Sequence, residues 1–116
     1  MTADVRIHVL HAPATGEQVK EMLLALTYYI KVAVDVQREV LAGGGLMHAD
    51  CEAALLEDGS VQEDVWGADW IPYESAVTFE SLINIRPNQG NASLEILDPK
   101  IRARVEEITR KLFTGA

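Results

Sequence analysis

A single cysteine, Cys51, stands in a chain of 116 residues. It excludes an intramolecular disulfide and a zinc site built on paired cysteines, and it suits a reducing cytoplasm. Basic residues are also scarce: 10 Lys and Arg face 18 Asp and Glu, for a net charge of −8. Such a surface repels nucleic-acid phosphates and anionic membranes, so no nucleic-acid partner is expected. The local cluster Arg102, Arg104, Arg110 and Lys111 shares its helix with Glu106 and Glu107 and reads as a solvated mixed face. No apolar run reaches the roughly 18 residues that span a bilayer, and the N-terminus lacks a basic-then-apolar leader. A soluble cytoplasmic protein with no membrane partner is the expectation. A phosphate loop, a dinucleotide glycine pattern and a nucleophile elbow are all missing, so no motif names a cofactor or a reaction.

What is present is apolar residues in quantity, 48% of the chain, enough for one core in a single domain over residues 1–116. Val5, Ile7 and Val9 alternate as a short strand that Pro13 stops. Thr15 and Gln18 have capping-box spacing ahead of Val19, Met22, Leu23 and Leu26, which predicts a helix from about 16 to 27. Val32, Val34, Val36 and Val40 alternate with polar residues up to Gly43-Gly44-Gly45, which predicts a strand ending in a glycine hairpin; a helix through Val36, Val40 and Leu41 is the alternative. Met47, Ala49, Cys51, Ala53 and Leu55 continue the alternation as a second strand. The Asp58-Gly59 turn leads to a third, from Ser60 to Ile71, and Val77, Phe79, Ile83 and Ile85 define a fourth. Pro87 ends it, and Asp98-Pro99 caps a last helix with Ile101, Val105, Ile108 and Leu112 down one face. The expected fold is α+β: a two-layer sandwich of a four-stranded antiparallel meander, with the N-terminal segment available as a fifth strand and two helices on one face.

Matching apolar faces across the meander sets a register, because a one-residue slip reverses every side chain. That register aligns Asp35, Glu52, Asp64 and Asn84 in a row on the outer face, with His48 and Asp50 one step along. Neighbouring carboxylates repel at about 4.5–5.5 Å, and a hard divalent cation would hold them together, which makes Asp35, Glu52, Asp64 and His48 candidate metal ligands. The competing reading is a plain solvent-facing decoration of a half-buried sheet. Trp66 and Trp70 fall on the same face and are candidate interface residues, since two exposed indoles call for a cover. His48 also qualifies as a general base, against the commoner hydrogen-bonded histidine. Cys51 points inward and is expected to be inert.

The segment Asn84 to Ser93 is the densest run of hydrogen-bonding side chains. Asn84, Arg86, Asn88, Gln89, Asn91 and Ser93 supply donors for a small polar or anionic ligand, with Gly90 free to take positive φ. The alternative is that these side chains satisfy the loop's own backbone.

Gly43 to Glu52, Gln62 to Gly67 and Asn84 to Ser93 resemble a family of small prokaryotic proteins defined only as a domain of unknown function, a likeness that covers about Ile30 to Leu112. The resemblance implies a stand-alone α+β domain and carries no activity. Three functions remain open: a homodimeric binding protein for a small polar ligand or cation, a divalent-metal-dependent hydrolase, and a purely structural dimer.

Overall fold

The computed structural model describes residues 5–115. Its centre is β2, Ile30–Asp35, in which Ile30, Val32, Ala33, Val34 and Asp35 are all wholly buried. β1 (His8–Leu10) and β3 (Val40–Gly43) lie to one side of it, β4 (Val65–Ile71) and β5 (Ala76–Thr78) to the other. The sheet order is β1-β3-β2-β4-β5, antiparallel throughout. The α+β class, the antiparallel sheet and the N-terminal fifth strand are as the sequence predicts.

Alternation along the strands supplies two apolar faces. Ile30, Val32, Val34, Leu41, Trp66, Ala68 and Trp70 pack against Met22 of α1 (Gly16–Met22) and Val105, Ile108 and Leu112 of α3 (Pro99–Thr114). The opposite face offers Ala33, Val40, Ala42 and Val65 to Cys51 and Leu55 of α2, His48–Glu57. Alanines under α2 let the helix approach closely, and the sheet is therefore covered on both sides. No helix of the described residues is long and apolar enough to cross a membrane.

α2 replaces the expected second strand, and with it the two-layer meander becomes a three-layer arrangement. Met47, Ala49, Cys51, Ala53 and Leu55 fit a period of two, but Cys51 and Leu55 are also one helical turn apart. Alanine and leucine favour the helix, and alanine is depleted in strands. The expected first meander strand is likewise two strands. Asp35 ends β2 by accepting through Oδ1 from the amides of Gln37 and Arg38, both at 2.9 Å, and Glu39 takes φ 58° before β3 returns. Gly43 then ends β3, and Gly44-Gly45 lie after the hairpin. There a Cβ on Gly44 would sit 2.2 Å from the Arg6 carbonyl.

The capping signals act as read. Thr15 and Gln18 form a complete capping box, and the Asp98 carboxylate accepts from the Lys100 amide with Pro99 in the first turn. α1 stops at Met22, short of residue 27, where Thr27 takes φ 68°. The expected fourth strand is kept only as β5. Beyond it Ser81 Oγ accepts from the Ile83 amide and starts a 3-10 turn, Leu82–Asn84.

That turn presses on β4 at Gly67, where a Cβ would stand 2.6 Å from Ser81 and 2.9 Å from Ile83. We predict that Gly67→Ala lowers stability by about 1–3 kcal/mol, the usual cost of overpacking, with an unchanged m value in urea denaturation.

Candidate functional site

Asn84 is wholly buried, and its carboxamide pairs with β4 as a backbone peptide would. Oδ1 accepts from the Gly67 amide at 2.8 Å and Nδ2 donates to the Gly67 carbonyl at 3.0 Å, with further acceptors at Phe79 and Leu94. Asn91 repeats the device one loop away: its Nδ2 donates to the carbonyls of Asn84, Ser93 and Glu95, and its Oδ1 accepts from the Leu97 amide. Arg86 and Asn91 also exchange both backbone hydrogen bonds.

Arg86 is equally committed. Nε donates to the Ile83 carbonyl and Nη1 to that of Gln62, both at 2.9 Å, while Nη2 donates to the Val65 carbonyl. Its guanidinium lies 4.6 Å from the Trp66 ring centroid and 3.5 Å from Glu52 Oε2. Burial pulls its pKa below the usual arginine range and the Glu52 charge opposes that shift. Gln89 donates to the Glu63 carbonyl, Ser93 Oγ accepts from the Glu95 amide, and Asn88 is exposed. The polar segment is thus a hydrogen-bonded clamp on the sheet edge, and the donors of Asn84, Arg86 and Asn91 are spent on the chain itself.

The expected row of metal ligands separates, because Glu52 sits on a helix and not on a strand beside Asp35. Asp35 caps its own turn, Glu52 faces Arg86, and His48 meets Asp69. Only Asp35 and Asp64 stay close. Burial first, then the charges of Asp35 and Glu63, push the Asp64 carboxyl above its usual range. Among the described residues no group of three or more His, Cys, Asp or Glu is placed to hold a metal.

Trp66 and Trp70 correct the predicted register as well. β4 pairs Trp66 with Val34 and Trp70 with Ile30, so both indoles enter the core under α3, where Trp70 stacks on Phe113 at 5.4 Å. They are 3% and 4% exposed and offer no outer face to a partner.

A different cluster lines a recess of about 240 Å³ at the start of α2. Its walls are Lys31 of β2, Met47, His48 and Ala49, and the segment Ser81 to Ile83 that the Asn84 clamp holds in place. His48 Nε2 lies 2.9 Å from both the Ala68 carbonyl and Asp69 Oδ1. A carbonyl oxygen only accepts, so Nε2 carries the hydrogen, and in the neutral ring Nδ1 holds a free lone pair. Thr78 Oγ1 donates to Asp69 Oδ2 at 3.1 Å and steadies the carboxylate. No side chain caps the N-terminus of α2; the Asp50 amide donates to the Met47 carbonyl at 3.1 Å and the Asp50 carboxylate stands in the first turn, so only the leading amides remain for the recess, with the helix dipole partly offset. Lys31 and Asp69 are register partners on β2 and β4, yet no carboxylate of the described residues forms an ion pair with the Lys31 ammonium. His48 was legible from sequence as a candidate, but Lys31 and Asp69 were not: their meeting depends on the β2–β4 register. Cys51, beneath the recess, donates to the Lys31 carbonyl at 3.3 Å and is wholly buried, which pushes its thiol up to about 11.

A family model described as "Protein of unknown function (DUF5674)" matches residues 8–112. No curated protein and no solved structure matches the chain.

Two expected outcomes follow from this geometry. Asn84→Ala strands the Gly67 amide and carbonyl without partners, each costing about 1–3 kcal/mol, and chemical denaturation should register the sum. The Cys51 thiol gives a pH signature. Between 9.0, its ordinary value, and about 11 the unfolded chain releases the proton while the folded chain retains it, so this contribution to stability falls as pH rises through that window. Cys51→Ala should flatten the decline in unfolding free energy over the same pH range; an unchanged slope contradicts the burial argument.

Proposed function

We propose that this chain, which belongs to that family, is a binding protein for a small ligand with a compact anionic group, held in the recess at the start of α2. The observation that carries this reading is the Lys31 ammonium, unpaired by any described carboxylate, beside an uncapped ten-residue helix start in a recess of about 240 Å³. Backbone amides at a helix N-terminus and a nearby ammonium attract a carboxylate or phosphate without further apparatus. The volume is below the common range of about 300–1,000 Å³ for drug-sized ligands, which favours a metabolite of few heavy atoms. This keeps the expected small polar ligand and moves its site from the Asn84 to Ser93 segment to the recess walled by Ser81 to Ile83, just ahead of it. A cation at Asp35, Glu52, Asp64 and His48 loses its support, because those ligands lie apart.

A homodimer is the second reading, now through another surface. Met47 and Leu82, 51% and 69% exposed, stand at the recess, and a second copy laid across them would shelter both the apolar side chains and the ligand. The buried Cys51 thiol fits a reducing compartment such as the cytoplasm.

Orthophosphate, acetate and citrate are the probes for a thermal unfolding series. Binding to the folded state alone raises Tm with concentration, and at about 100 times Kd the added stability is about 2.7 kcal/mol. The wild-type protein should show a saturable rise with at least one anion, and Lys31→Met should remove it. An equal rise in Lys31→Met places any anion elsewhere.

A further inference from the structure

Asp35 ends the central strand wholly buried, and only one of its two carboxylate oxygens is met. Oδ1 accepts from the Gln37 and Arg38 amides, while Oδ2 is shut away from solvent with no hydrogen-bond partner among the described residues. Burial of a charged oxygen costs more than burial of a neutral one, so Oδ2 calls for a donor. The neighbouring amides and guanidinium groups are engaged elsewhere. The Val36 amide goes to the Asp64 carbonyl and the Glu39 amide to the Asp35 carbonyl, both at 3.0 Å. The Arg38 guanidinium turns to Ser60 and Asp58, and that of Arg86 to three carbonyls and Glu52. Val40 and Val65, the register partners of Asp35 on β3 and β4, are apolar. What stands beside Asp35 is a second carboxyl. Asp64 closes the 3-10 turn Gln62–Asp64 directly before Val65, and the Val36–Asp64 backbone bond ties that turn to the end of β2.

We propose that Asp64 takes up a proton on acidification and donates it to Asp35 Oδ2, so that the two carboxyls form an acid-closed latch between the end of β2 and the start of β4. One proton from solvent converts two like charges that repel into a donor and an acceptor. Asp64 is suited to this, since its carboxyl is held above its ordinary range by burial, then by the Asp35 charge, then by Glu63 on its own turn. The other charged groups around the latch pair among themselves: Arg38 with Asp58, and Glu52 of α2 with Arg86. The turn that carries Asp64 also gives the Gln62 carbonyl to Arg86 and the Glu63 carbonyl to Gln89, so the latch anchors the clamp as well. The sign of its pH dependence follows from the raised carboxyl. Above 3.8, the ordinary value, the unfolded chain releases a proton that the folded chain still holds; the stability is complete below 3.8 and is lost as pH rises through the folded-state value.

The test is urea denaturation of the wild-type protein and Asp64→Asn from neutral pH down to 3.8. The carboxamide gives Oδ2 a permanent donor that needs no proton. Asp64→Asn should therefore be the more stable protein at neutral pH, and the gap should close as pH falls. A gap that is the same at every pH, or a variant less stable than wild type at neutral pH, overturns the latch. Carboxyl carbon resonances give a readout independent of stability. The Asp64 midpoint should move down toward 3.8 in Asp35→Asn, whose carboxamide oxygen can still accept from the Gln37 and Arg38 amides. An unmoved Asp64 midpoint overturns the pairing with Asp35.

Discussion

The carboxamide of Asn84 does for one side of the sheet what a sixth strand would do. β4 extends beyond β5 at its Val65 end, and the Gly67 amide and carbonyl would be left unpaired in the interior there. Leaving such groups unpaired costs about 1–3 kcal/mol each, more than most single contacts return. Asn84 meets both and binds two further carbonyls of its own loop, so one side chain joins β4 to the chain on either side of it. Gly67 is the complement of this arrangement, because no larger residue lets Ser81 and Ile83 come so near the strand.

The recess inherits its shape from that junction. One wall is Ser81 to Ile83, held by the clamp; the other is the start of α2, brought close to the sheet by Ala33 and Ala42. β2 and β4 then set Lys31 against Asp69 in register, and Asp69 takes His48 from the helix. Packing, register and the buried amide pair thus converge on one recess lined by Lys31, the start of α2 and His48.

How much of this could be read from the chain alone varies with the range of the interaction. Local signals were legible: the Thr15–Gln18 capping box, the Asp98-Pro99 start, the valines of β2 and the location of a polar cluster after Phe79. Each depends on residues only a few positions apart. The segment from Met47 to Leu55 was not legible by period, since its apolar residues satisfy two and nearly satisfy 3.6, and helix propensity decided it. That single exchange of strand for helix moved Glu52 off the sheet, released the predicted carboxylate row and put Trp66 and Trp70 on the core face. The polar cluster was seen, but not its purpose: Asn and Arg side chains look alike in sequence whether they face a ligand or their own backbone. Asp69 lies 21 positions from His48, and nothing local marks them as a pair.

The central claim is that the Asn84 side chain closes the edge of β4 as a strand would. Amide hydrogen exchange at Gly67 measures it directly. In β4, the Gly67 amide should exchange as slowly as the amides of β2, near the rate set by global unfolding. Exchange at the rate of an open loop, with β2 still protected, would contradict the account.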